Sequence, residues 1–321
     1  MAFLPRLRPM SRFSATCAAL GGLALCLAAT AEAHGIAGNR YFPGTLTFDD
    51  PAVADEAVLP QLGTSSDGAT EDRLDWSVAR LLVPGLAFEA EGGALQDRWP
   101  GARATGFDAT SIGLKAEVYR DDQHETLVSA GLLWGIGGSG SKRVGADAPD
   151  SLQPGIFFGR GFGDLPDSLA WLRPFGIAGS VSGELPTHGS AANLDYSAEA
   201  RTLVSVETSQ VPVLHWGVAL EYSTLYLTDR FKPGELPEDE PLDQLVPLVE
   251  FAFDTPRGQR TTGTVNPGLS YVSDEIPIQI AAELNLPVTG GGQHGIGGQV
   301  QLLVFLDDLL PSVFGKPVFG E

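Results

Sequence analysis

Cysteine is nearly absent from this 321-residue chain: the two that occur, Cys17 and Cys26, both lie ahead of residue 34. That excludes thiolate nucleophiles, thiolate metal sites and a disulfide framework from everything downstream. Basic residues are scarce too, 20 Lys and Arg against 40 Asp and Glu, for a net charge of -20. Nucleic-acid binding needs a Lys/Arg footprint that displaces counterions from phosphates, and this chain lacks one. Past residue 33 no run of 18 apolar residues occurs, so a helical membrane protein is excluded. The five His, at 34, 124, 188, 215 and 294, include no i, i+4 pair of the kind a helical zinc motif uses. No P-loop or Gly-x-Ser-x-Gly elbow is present, and Gly159-Arg160-Gly161-Phe162-Gly163 reads as small residues on a curved strand, not as a phosphate loop.

The chain begins with a targeting pattern. Arg6, Arg8 and Arg12 precede an apolar stretch from Ala15 to Thr30, and Ala31-Glu32-Ala33 fits the small-x-small site at which secretory signal peptides are cut. Residues 1–33 therefore read as a signal peptide, with His34 as the mature N-terminus. Leu25 ahead of Cys26 argues against a lipoprotein signal. Leaving out three Arg and Glu32, residues 34–321 hold 39 acidic and 17 basic side chains, a net charge of -22. With 43% hydrophobic residues and 16 Phe, the chain has enough apolar surface to fold despite that charge.

What fills residues 71–310 is alternation with a period of two, the mark of strands with one apolar face. Leu194, Tyr196, Ala198, Ala200, Thr202, Val204 and Val206 alternate with Asp195, Ser197, Glu199, Arg201, Leu203, Ser205 and Glu207. Leu214, Trp216, Val218, Leu220 and Tyr222 alternate with His215, Gly217, Ala219 and Glu221. Twelve such segments are expected, near 71–82, 85–97, 108–120, 125–136, 152–163, 170–185, 193–208, 211–228, 243–254, 260–273, 276–288 and 294–306. Several exceed the length of about 5–6 residues usual in soluble sandwiches and suit the roughly 9–11 residues of a tilted membrane strand. Trp76, Trp99, Trp134, Trp171 and Trp216 lie on or near segment ends, as interfacial girdles do. The expected fold is an all-β, transmembrane antiparallel β-barrel of about twelve strands. Its expected divisions are the signal peptide 1–33, an acidic leader 34–70, a barrel 71–310 and a tail 311–321. One feature conflicts: the tightest connectors, near 83–84, 121–124 and 209–211, follow odd-numbered segments, where such barrels place long loops.

The charges on strand interiors are Glu89, Glu91, Lys115, Glu117, Glu199, Arg201, Glu207, Glu221, Glu250 and Glu283. Each falls on the polar face of its segment, and charge on a lipid face is costly, so all ten are expected to line the lumen. Eight acids against two bases imply a water-filled pathway that favours cations, or else a closed interior whose carboxylates are paired or shared. His34 is a candidate copper ligand through its imidazole and α-amine. Asp49, Asp50, Asp307 and Asp308 offer oxygens for Ca²⁺ if the termini meet, or else form a solvated acidic rim.

A resemblance adds to this. The run His34-Gly35-Ile36-Ala37-Gly38-Asn39-Arg40-Tyr41-Phe42-Pro43, the stretch from Leu46 to Glu56, Gly263-Thr264-Val265-Asn266-Pro267-Gly268 and the ending from Phe305 to Pro311 resemble a family of bacterial outer-membrane transporters. That family is similar to proteins of the meta-cleavage pathway of phenol degradation. The resemblance implies a barrel passing small solutes, aromatic or hydrophobic compounds among them, and it carries over no site residue. Glu321 departs from the terminal aromatic common in such barrels, which moves the expected insertion signal inward to Phe305 or Phe319. Together these readings give a Gram-negative outer-membrane channel for small solutes, with no enzyme chemistry, no cofactor, and lipid and solute as its partners. The alternatives are a copper-binding protein using His34 and a lipid-modifying barrel enzyme, for which Ser223 near His215 is the one loose suggestion.

Overall fold

In a computed structural model, residues 35–67, 69–224, 244–273, 275–289 and 295–319 are described. A small hairpin, β1 (Ile36–Ala37) and β2 (Arg40–Tyr41), precedes the long strands β3 (Glu56–Asp67), β4 (Ala69–Val83) and β5 (Leu86–Trp99). A short β6 (Ala102–Phe107) folds back on the outer half of β5, and β7 (Ser111–Asp121) pairs with its inner half. Next come β8 (Thr126–Gly135), β9 (Ser151–Gly161) and β10 (Phe175–Pro186), then a separate hairpin of β11 (Ser190–Ser197) and β12 (Thr202–Ser209). The last five strands are β13 (Val213–Tyr222), β14 (Leu245–Pro256), β15 (Thr262–Val272), β16 (Ile278–Pro287) and β17 (Ile296–Phe305).

Twelve of these strands close a ring in the order β3-β4-β5-β7-β8-β9-β10-β13-β14-β15-β16-β17, every neighbour antiparallel, with β17 returning to β3. Closure leaves no sheet edge and satisfies the backbone internally, which is what hydrocarbon demands. The facing is clean. On β13, Leu214, Trp216, Val218 and Leu220 are exposed, whereas Gly217, Ala219 and Glu221 are buried inside. Leu114, Leu132, Ile156, Val181, Leu269, Ile280 and Val300 continue the outward apolar band. Lys115, Ser129, Ser180, Asn266, Gln279 and Gln301 point inward and are buried. Apolar out and polar in is the arrangement of a barrel standing in lipid.

The strand total agrees with expectation, but two segments differ. The leader does not run to residue 70, because Glu56–Asp67 is the first barrel strand. Its period-two pattern is broken by Pro60 and by a register shift between Val58 and Gln61, and Ser and Thr fill its outer half. The segment 193–208 is no membrane strand: it folds on itself, Ser197 pairing with Thr202, and belongs to no barrel ladder. With Glu56–Asp67 in the ring and 193–208 outside it, the tight turns at 84–85 and 122–125 fall on the near rim, and the connectors 136–150 and 187–212 share the opposite rim; β13 and β14 are joined at the near rim. The expected tail starts earlier as well, since two short helical turns, Leu306–Leu309 and Pro311–Phe314, follow β17 directly.

Candidate functional site: a plugged acidic lumen

Residues 35–55 do not lie beside the barrel; they enter it. Gly38 supplies the positive φ of the β1–β2 turn, and the chain then rises to an apex at Thr47–Asp49 before returning to β3 at the same rim. Two glycines on barrel strands make room for its aromatics. A Cβ at Gly159 would sit 2.9 Å from the Phe42 ring, and one at Gly217 would sit 2.5 Å from Phe48. Phe42, Ala37, Leu127, Ala178 and Ala219 form the apolar cluster of the near end, with Phe48 packed against it. Gly217→Leu should therefore cost about 1–3 kcal/mol of overpacking. Because the strain falls on Phe48 and not on the ladder, protease cutting within residues 42–50 should rise while heat-resistant barrel mobility on gels is unchanged.

The polar grip on this plug comes from lumen side chains. Glu250, fully buried, accepts from the Leu46 and Thr47 amides at 2.9 Å each. Gln279 is bonded by Tyr41 Oη and the Gly44 amide, and donates back to the Gly44 carbonyl. Thr47 donates to Glu283 at 2.5 Å and receives Asn266 at 2.9 Å. Lys115 reaches Asp49 at 2.8 Å, lies 3.8 Å from Glu89 and sits 4.6 Å above the Phe157 ring. At the near rim Arg40 donates to the carbonyls of Arg173, Pro174 and Phe175 and stands 3.6 Å from Glu125. Arg80 joins Asp55 at 2.5 Å, and the Leu81 amide donates to the other Asp55 oxygen. Burial pushes the Asp50 carboxyl up to about 6, against the opposing pull of Lys115.

Beyond the plug apex the lumen opens into a cavity of about 550 Å³. Nine carboxylates line it, Asp49, Asp50, Glu56, Asp75, Glu89, Glu91, Asp108, Glu184 and Asp254, against Arg73 and His215. Arg73 is spent on its neighbours: it lies 3.3 Å from both Glu71 and Asp75 and is bonded to Asp108. His215 Nδ1 lies 2.6 Å from Asp254, and its Nε2 lies 3.7 Å from Glu184. The cavity is therefore an acidic vestibule with little free positive charge.

The ten expected lumen residues divide into five groups. Glu89 and Glu91 line the vestibule. Lys115, Glu250 and Glu283 face the lumen but hold the plug, while Glu117 pairs with Arg120 at 2.8 Å. Glu221 on β13 faces the lumen and is buried, and among the described residues neither of its carboxylate oxygens has a hydrogen-bond partner. Glu199, Arg201 and Glu207 are not in the lumen at all: they belong to the exposed β11–β12 hairpin, whose alternation runs through its own turn. The cavity is also lined by Arg73 and Asp75, which alternate with Leu74 and Trp76 on β4, and by Glu184, His215 and Asp254, none of them among the ten charges expected from the pattern.

His34 lies outside the described residues. Among the described residues no three His, Cys, Asp or Glu side chains are grouped as metal ligands. Asp50 is buried in the plug, whereas Asp308 is exposed on a helical turn after β17. Ser223 and His215 do not meet, since they stand at opposite ends of β13.

Among solved structures, the chain is similar to the KdgM porin, with a TM-score of 0.43 at 10% identity over 77% of this chain and 98% of that one. It is also similar to the NanC porin, with a TM-score of 0.40 at 12% identity over 78% and 98% of the two chains. An outer membrane channel from Pseudomonas putida F1 gives a TM-score of 0.48 at 10% identity over 83% and 99%. No family model matches the chain, and no curated protein matches it.

Proposed function

We propose that this chain is an outer-membrane channel for small solutes, held closed by its own N-terminal segment and favouring cations in its vestibule. The observation that carries this reading is the cavity of about 550 Å³ inside a lipid-faced barrel, lined by nine carboxylates and floored by residues that belong to no strand. A floor made of a re-entrant segment can leave; a floor made of barrel wall cannot. Closed antiparallel barrels with an even strand number are the outer-membrane form, which supports that location together with the targeting pattern of residues 1–33. Carboxylate-lined passages bias permeation toward cations. The cargo class rests on the meta-pathway resemblance, which points to small aromatic or hydrophobic compounds, and the proposal assigns no catalysis.

Planar-bilayer recording of the refolded protein tests it. Reversal potentials across a KCl gradient should show cation preference, and Glu91→Gln with Asp254→Asn should weaken it. The preference should also fade as the Debye length falls from about 30 Å at 0.01 M to about 3 Å at 1 M salt. An anion-selective pore, or no conductance under any condition including removal of residues 35–54, would reject the channel reading.

A further inference from the structure

Among the described residues the β11–β12 hairpin pairs only with itself and with no strand of the barrel sheet. It is rooted between β10 and β13, yet the ring of Tyr196, beside its turn, stacks on Trp99 at the end of β5, with centroids 5.3 Å apart and planes 11° from parallel. Tyr196 Oη donates to the Pro100 carbonyl at 2.8 Å. Arg201 in the hairpin turn and Ala69 at the start of β4 line one cleft with these aromatics. In ring order the root lies between the seventh and eighth strands and the docking point on the first three, close to the opposite side of the mouth. Twelve strands about 4.8 Å apart and tilted about 40° enclose a ring roughly 24 Å across. Eight residues at about 3.3 Å each reach roughly 26 Å, so the hairpin is long enough to pass over the opening. Midway it is tied once more, Asn193 exchanging hydrogen bonds with Asp147 N and O at 3.1 and 2.9 Å.

We propose that this hairpin is a lid over the vestibule, latched to the far rim by the Tyr196–Trp99 stack, steadied midway by the Asn193–Asp147 hydrogen bonds, and free to swing on its root when these ties part. The inference concerns access from the outer side and rests on the vestibule, not on passage through the plug. Its contacts suit a latch. They are one stacked pair, a few neutral hydrogen bonds and the packing of β11 on the turn at Lys142–Val144, against the ladders that hold every barrel strand, and most of β12 is exposed. Because Ser190 and Ser209 are paired across the hairpin, residues 191–208 can be replaced by Asn-Gly without moving β10 or β13.

The test uses Ser182→Cys, which lines the vestibule, in a Cys17→Ser, Cys26→Ser background, labelled from outside intact cells with a bulky membrane-impermeant maleimide. Tyr196→Ala should speed labelling about tenfold, the order expected for losing a stacked pair and one hydrogen bond, and Trp99→Ala, which keeps the Tyr196–Pro100 hydrogen bond, about fivefold. The hairpin replacement should speed it further. Gel mobility before and after heating verifies that each barrel is folded. Equal labelling rates in folded parent and variants would overturn the lid, and acceleration by the replacement alone would overturn the latch. Neither outcome depends on conductance, so a failed channel reading and a failed lid are told apart.

Discussion

Val218→Arg should lower the unfolding free energy by about 2–4 kcal/mol, the range for Arg near the midplane of a barrel's lipid face. Val204→Arg should change it by no more than about 0.5 kcal/mol, as surface substitutions usually do. Both valines sit on strands and both are 37% exposed, so exposure alone predicts no difference. What separates them is the solvent they meet. Val218 lies mid-strand on β13, between partners Gly179 and Phe251 in the closed ladder. Val204 lies on the hairpin that leaves the barrel at the far rim. Urea titrations in phospholipid vesicles, followed by tryptophan fluorescence, measure the pair directly. Equal losses would mean that β13 does not face lipid, and the membrane assignment would go with it.

The same two strands explain what could be read from the sequence. β13 was legible because lipid on one side and the lumen on the other force every second residue to be apolar, and its Leu214-to-Tyr222 pattern leaves only one facing. The hairpin deceived because its alternation stays in phase through Ala198-Glu199-Ala200, where no Gly or Pro marks a turn. The turn instead uses Arg201 with a φ of 49°, a conformation that a non-glycine residue seldom takes. β3 was lost for the opposite reason, since Pro60 and the register shift after Val58 interrupt a pattern that the ladder tolerates. One strand too many and one too few gave the correct total of twelve.

Inward-facing carboxylates were legible in the same way, as charges that lipid would not accept. Their partners were not. Glu250 meets amides 204 and 203 residues earlier in the chain, and Lys115 meets a carboxylate 66 residues earlier. No local pattern encodes such pairings; they follow from closing the ring and threading residues 35–55 inside it. An inventory of lumen charge therefore overstates what a permeating ion meets, since part of that charge already holds the plug.

Glu250 decides whether the plug is a gate. An ordinary intramolecular hydrogen bond contributes about 0.5–1.5 kcal/mol, so losing two should weaken the closed plug by about 2 kcal/mol. At about 1.4 kcal/mol per factor of ten, Glu250→Ala should raise the plug-open population on the order of 20-fold. The freed Leu46 and Thr47 amides find water once the segment leaves, so the released state carries no matching penalty. Glu250→Gln keeps one acceptor oxygen and should fall between parent and Ala variant. Glu91→Gln, in the vestibule and away from these amides, should alter selectivity and leave open probability unchanged. Single-channel recording reads all three as open probability, and removal of residues 35–54 sets the upper limit. If Glu250→Ala stays as closed as the parent while residue-deleted protein conducts, the Glu250 bonds are not the latch, and the plug is held by its remaining ties, Lys115–Asp49 and Thr47–Glu283 at the apex and Arg40 and Asp55 at the near rim.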